Sequence, residues 1–149
     1  MVEKIKFAEE DIKLNNLVVS KDLSDSRIKE YNYVFQEIYE EFGYTPSSLL
    51  EKAKEDEKQY IKEGIIEQKS LDDRIVSELQ LKYFNYLKNK TYEGKKLPNG
   101  TRKDKKLSNG TIKLKIVSLR TFLNFYKIFY VLLQKVRRLP NLKYHQSYH

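Results

Sequence analysis

From Ser24 to Gly43 the chain reads SDSRIKEYNYVFQEIYEEFG, and its apolar positions Ile28, Tyr31, Phe35, Ile38 and Phe42 recur at steps of three and four. On a helix of 3.6 residues per turn these five share one face, which has to be buried against other elements. Ser24 or Ser26 can cap the start, and Gly43 can take the left-handed conformation that ends it. Three later segments repeat the pattern, so the chain is constrained to an all-α architecture with four principal helices.

The second segment opens on Thr45-Pro46-Ser47-Ser48, a capping hydroxyl followed by a proline at the first helical position, where its missing N–H costs nothing. Its apolar stripe is Leu49, Leu50, Ala53, Tyr60 and Ile61, with Lys52, Glu55, Asp56, Lys58 and Lys62 on the wet side and Gly64 as an interruption. The third starts at Ser70 as cap, with Asp72 and Asp73 in its first turn, where acids complement the helix dipole. Leu71, Ile75, Val76, Leu79, Tyr83, Tyr86 and Leu87 form its stripe, and Leu81 and Phe84 widen the apolar surface. The fourth starts near Thr111 and runs toward Pro140. Ile112, Ile116, Leu119, Leu123 and Tyr126 make its buried stripe, and Lys113, Arg120, Asn124 and Lys127 a polar one. Its continuation past Phe129 is open, because Tyr130 to Leu133 is apolar all round.

Between the third and fourth helices lies TYEGKKLPNGTRKDKKLSNG, residues 91–110, with Asn-Gly pairs at 99–100 and 109–110. Asn-Gly tolerates positive φ at both residues, so a short β-hairpin or an extended loop fits here. The near repeat of LPNGTRK and LSNGTIK suits the two arms of such a turn region. Residues 1–23, with no sustained period, read as an arm holding one short helix around Val2 to Leu14. Residues 24–139 read as the folded domain and 140–149 as a fraying tail.

At 149 residues one domain is expected. No run approaches the roughly 18 to 20 apolar residues of a membrane span, no secretory leader is evident, and the chain contains no cysteine. Disulfides, thiolate zinc sites and cysteine nucleophiles are thereby excluded, and a cytoplasmic location without membrane contact is expected. The charge is more informative. Residues 1–70 hold 11 Lys and Arg against 16 Asp and Glu, a balance of −5, and residues 71–149 hold 18 against 5, a balance of +13. Such asymmetry makes one side of a molecule attractive to polyanions, of which nucleic acid is the commonest soluble example.

A DNA-contacting helix needs cations for phosphates, polar groups for base edges, and a packed apolar side to hold its aim. The fourth helix offers all three, and the preceding loop adds Lys95, Lys96, Arg102, Lys103, Lys105 and Lys106. The tyrosines at 31, 33, 39, 60, 83, 86, 126 and 130 sit mostly at core spacing, which favours packing over base stacking. No phosphate-binding glycine loop is present. His145 and His149 are four apart, a spacing that could share a metal on a helix, but they fall in the tail, so neither metal nor cofactor is expected. The acidic pairs Glu40 with Glu41, Asp56 with Glu57 and Asp72 with Asp73 point in different directions on a helix and form no acid–base set.

The order of segments carries a resemblance. A helix start with Ser26, Ile28 and Tyr31, then TPSSLLEKAKEDE, LKYFNYLKNK and SNGTIKLKIVSLRTFLNFY, over about residues 24–127, resembles the SAM-like core-binding domain of tyrosine recombinases, particularly archaeal and phage integrases. The resemblance implies a four-helix domain that grips one side of double-stranded DNA while a catalytic domain closes on the other. It implies that the second and fourth helices face the major groove, with Lys54 and Lys58 on one and Thr111, Lys113, Lys115, Arg120 and Lys127 on the other as contacts. The basic loop lies beside them in that arrangement. Partners would then be duplex DNA and a catalytic recombinase domain or other recombinase subunits. The family's catalytic Arg, Lys, His-x-x-Arg and Tyr lie downstream of this domain. Neither histidine here is followed three residues later by Arg, so Tyr144 and Tyr148 lack activating partners and no catalysis by this chain is expected. The alternative is a helical protein-interaction module, docking through the acidic second helix and the apolar Phe129 to Leu133 segment.

Overall fold

In the computed structural model, which describes residues 4–58, 60–62, 65–67, 74–96, 98–100, 102–128 and 130, four long helices dominate, as the periodicity predicts. They are α3 (Asp25–Phe42), α4 (Pro46–Glu57), α5 (Ile75–Asn89) and α6 (Asn109–Phe125), preceded by two shorter ones, α1 (Phe7–Glu10) and α2 (Ile12–Ser20). Two antiparallel hairpins interrupt the helices, β1 (Tyr60–Lys62) with β2 (Ile65–Glu67) and β3 (Thr91–Lys96) with β4 (Arg102–Lys106).

Several helix ends follow local chemistry. The Ser24 hydroxyl accepts from the Arg27 N–H at the start of α3, and Gly43 ends that helix at φ +79°. Thr45 and Ser48 form a reciprocal capping box around Pro46. At the far end of α6, Lys127 is left-handed at φ +57°. Its N–H bonds the Asn124 carbonyl (3.0 Å), and the Ile128 N–H bonds the Leu123 carbonyl (2.9 Å). That pair of bonds is a Schellman ending, sealed by burial of both Ile128 and Leu123. The fourth helix therefore stops at Phe125 rather than running on toward Pro140; residues 131–149 lie outside the described residues.

The second helix is also shorter than its apolar stripe suggests. It ends at Glu57, and Tyr60 and Ile61 belong to β1, whose register pairs Tyr60 with Glu67, Ile61 with Ile66 and Lys62 with Ile65. Aromatic and β-branched residues favour extended backbone, and here that preference outweighs the helical period. Asp56, expected on the wet side, is buried instead and accepts the Ile75 N–H at 2.6 Å, capping the next helix. Described helix begins there at Ile75; Ser70, Asp72, Asp73 and Gly64 are outside the described residues.

Residues 1–23, expected as an arm, contribute to the same core. Phe7, Ala8, Leu14 and Leu17 are buried among the residues of the long helices. Asp11 explains the attachment. Its carboxylate caps α2 by accepting from the Lys13 and Leu14 N–H groups (3.0 and 3.3 Å), and it also takes the Ser47 N–H (3.0 Å) and hydroxyl (2.8 Å) at the start of α4. Asn32 and Gln36 on α3 accept the Ala8 and Ile5 N–H groups, and the Tyr126 hydroxyl donates to the Lys13 carbonyl. Helix α6 packs against α3, α5 and α2, with Phe35 and Phe122 edge to face at 4.9 Å in the centre. Among the described residues no helix is long and apolar enough to cross a membrane.

Replacing Asp11 with Ala removes caps from two helices at once and should lower stability by about 2 kcal/mol in urea unfolding. Asp11→Asn, which keeps one acceptor oxygen, should recover part of the loss. Wild-type stability for Asp11→Ala would mean that the arm is not held this way.

Candidate nucleic-acid interface

The basic stretch between the third and fourth helices is a hairpin. Thr91 pairs with Lys106, Tyr92 with Lys105, Glu93 with Asp104 and Lys96 with Arg102, with an irregularity between Glu93 and Lys96. Pro98, Asn99 and Gly100 make the turn, Gly100 at φ +89°. The second Asn-Gly pair does something different: Asn109 and Gly110 are the first helical residues of α6, behind the Ser108 cap. Ser108 supplies the reason. Its hydroxyl accepts the Thr111 N–H at 3.2 Å, which commits the backbone to helix where the first pair had a tight turn.

Lys95, Lys96, Arg102 and Lys103 are thus placed on the two strands, and Lys105 and Lys106 are exposed at the base leading into α6. Tyr92, opposite Lys105, is exposed too. Cross-strand neighbours share a face, so Tyr92 and Lys105 stand on the same side of the hairpin. Lys54 and Lys58 are exposed in the last turn and at the C-cap of α4, which packs against α2 and α5. Lys127 is exposed beyond the end of α6. Thr111 is half-buried, its hydroxyl 3.0 Å from that of Ser108.

Three of the expected contacts on α6 are not on its surface. Lys113, Lys115 and Arg120 are each 5% exposed. The polar stripe assigned from sequence turns inward because α6 is packed on several sides, and a helix in that position has no fully wet face. Arg120 Nε donates to Gln80 on α5 at 2.8 Å, and its guanidinium lies 6.0 Å from the Tyr130 ring, whose hydroxyl in turn donates to Asn124. Burial pulls the Lys113 ammonium below its usual range. What α6 does expose is Asn109, Gly110 and Leu114 toward its start and Asn124 near its end.

Lys115 belongs to a charged cluster between α3, α5 and α6. One carboxylate, Glu37, takes three donors: the Tyr83 hydroxyl at 2.9 Å and Lys115 Nζ at 3.2 Å on Oε1, and Lys90 Nζ at 2.6 Å on Oε2. Lys90 also donates to the Tyr33 hydroxyl at 3.2 Å, and Lys115 Nζ stands 3.7 Å above the Tyr33 ring. Burial pulls the Lys90 ammonium down, but its hydrogen bonds to Glu37 and Tyr33 outweigh this and hold it above the ordinary lysine range. Burial and then the Glu37 charge push the Tyr83 phenol well above its usual value. Lys90 is therefore a cation at neutral pH and Tyr83 is a donor. Lys90 and Tyr33 were not singled out as contacts by sequence. Tyr33 does fall off the stripe of Ile28, Tyr31, Phe35, Ile38 and Phe42, and that offset was the available signal of exposure.

No protein-family model, no curated protein and no solved structure matches this chain. Among the described residues no group of three or more His, Cys, Asp or Glu could hold a metal ion.

Burial reverses the expected behaviour of the α6 cations. Arg120→Ala should cost roughly 2–3 kcal/mol and Glu37→Ala, which strands two cations, about 3–5 kcal/mol in urea unfolding. Lys127→Ala should stay within about 0.5 kcal/mol of wild type. An Arg120→Ala variant of unchanged stability would return that side chain to the surface.

Proposed function

We propose that this chain is a binding module for double-stranded DNA, and that it serves as the core-binding part of a tyrosine-recombinase-like protein. The observation that carries the reading is the β3–β4 hairpin: six lysines and arginines on two short strands that lead directly into α6. A two-stranded ribbon of this kind has the dimensions of a DNA groove, and its cations can meet phosphates along the groove's edge. The charge split between the halves of the chain supports the same surface, since the positive balance lies from residue 71 onward.

Recombinase membership is supported by the four ordered segments and by the four long helices they form. The contact set is narrower than the resemblance implies. Lys95, Lys96, Arg102, Lys103, Lys105 and Lys106 on the hairpin, with Lys54, Lys58 and Lys127 on the helices, carry the reading, while Lys113, Lys115 and Arg120 hold the bundle together. This chain then contributes grip and orientation, and strand cleavage falls to a catalytic domain.

Duplex binding is measured as a function of salt. With about six phosphates neutralised, the logarithm of the association constant should fall with that of salt concentration at a slope of roughly −5. Replacing both Lys105 and Lys106 with Gln should bring the slope about two units nearer zero, with no loss of stability. Absence of binding at low salt, or binding indifferent to salt, would sink the proposal. The protein-interaction alternative has its own support in Ile12 and Val19, both 68% exposed and seven residues apart on α2. A mass that rises with concentration, together with indifference to DNA, would favour it.

A further inference from the structure

At the foot of the hairpin two ammonium groups share one carboxylate. Lys90, the residue before β3, and Lys115, in the second turn of α6, bond opposite oxygens of Glu37, and the Tyr83 hydroxyl takes the remaining capacity of Oε1. Glu30 and Glu41, on the same helix as Glu37, add their charges at Tyr83 and Tyr86. The side chains of Glu37 and Lys115 are only 7% and 6% exposed, so this part of the cluster is closed. It opens on the side of Tyr33 and Lys90, where Tyr33 is 50% exposed and the Lys90 side chain 24%.

The hydrogen-bond inventory there is unfinished. An ammonium has three N–H donors, and Lys90 uses two, on Glu37 and on the Tyr33 hydroxyl. The Tyr33 oxygen accepts from Lys90, so its own hydrogen is left to donate. The ring beneath that hydroxyl is fixed by Lys115 at 3.7 Å on its face and by Lys90 at 5.3 Å. Two donors on a half-open rim, one of them an ammonium, match the needs of a singly charged tetrahedral oxyanion. Both oxygens of Glu37 are occupied by donors and are not turned out toward such a group.

We propose that Lys90 and Tyr33, backed by Lys115, form a seat for one phosphodiester group of the bound DNA. The inference rests on the DNA-binding reading and adds to it a fixed anchor at the hairpin's base: Lys90 is joined directly to Thr91, so a phosphate held here sets where the ribbon meets the duplex. The seat carries the phosphate contact of a side chain that is already ordered, which lowers the entropy lost on binding.

The test compares salt slopes for the full chain on one duplex. Lys90→Gln should bring the slope about one unit nearer zero and weaken binding roughly fivefold to tenfold at moderate salt. Lys90→Arg should keep the wild-type slope, and Tyr33→Phe should weaken binding about threefold with the slope unchanged, as expected for loss of one neutral donor. Lys82→Gln, on the α5 surface beside Glu78, is the control and should change neither. If the wild type binds DNA and Lys90→Gln, folded, keeps its slope and affinity, the seat is overturned and the DNA reading stands. If the wild type does not bind, both fall. Should Lys90→Gln fail to fold, Tyr33→Phe decides, and wild-type affinity in that variant overturns the seat.

Discussion

The bundle is organised around a carboxylate that three helices have in common. Glu37 sits midway along α3, and through it α5 supplies Tyr83 and Lys90 while α6 supplies Lys115. Hydrophobic contacts such as Phe35 on Phe122 bring these helices together without selecting a rotation for each. The Glu37 contacts do select one, since a slip of one residue along α6 would turn Lys115 by about 100° and leave a buried ion unpaired. Helix α6 enters from β4 and α5 leaves into β3, so the same lock orients the base of the basic hairpin.

A second kind of lock works at the helix starts. Asp11 satisfies helix-terminal N–H groups of both α2 and α4, and Asp56 at the end of α4 satisfies the first N–H of α5. Each is an acid at a helix N-terminus, where the orphan donors and the dipole both favour negative charge. Three acids of the first half of the chain, Asp11, Glu37 and Asp56, are thus spent inside the bundle. The positive charge has a different destination. Part of it is turned inward on α6, and among the described residues Lys105 and Lys106 of the hairpin face water, as do Lys54, Lys58 and Lys127. That division separates the cations that hold the fold from those exposed to water.

The four long helices, the Thr45 cap and the Gly43 ending are legible in the chain, and so are Ser24 as one of two candidate caps and Asn99-Gly100 as one of two candidate turns in a hairpin or loop, because each depends on chemistry within about four residues. The candidate contacts on the hairpin were legible as a run of lysines and arginines for the same reason. The α6 cations were misread. Lys113 and Arg120 are seven apart with Asn124 and Lys127 beyond, a spacing that looks like a wet stripe on any helix with one buried side. Whether such a stripe is wet depends on how many neighbours the helix has, and periodicity does not count neighbours.

By itself the sequence determined the class of fold, the approximate place of each helix and the site of the basic hairpin, since helical period, capping and turn propensity are local quantities. Only the tertiary structure decided which lysines are surface groups and which are struts, that residues 1–23 complete the core, and that Tyr33 stands at a half-open rim beside Lys90. Those outcomes are set by residues tens of positions apart, such as Glu37 and Lys115 or Asp11 and Ser47, whose meeting follows from the packing of whole helices. A buried ion pair leaves no local mark on either partner, because the same lysine at the same helical position is stable in water or against a carboxylate.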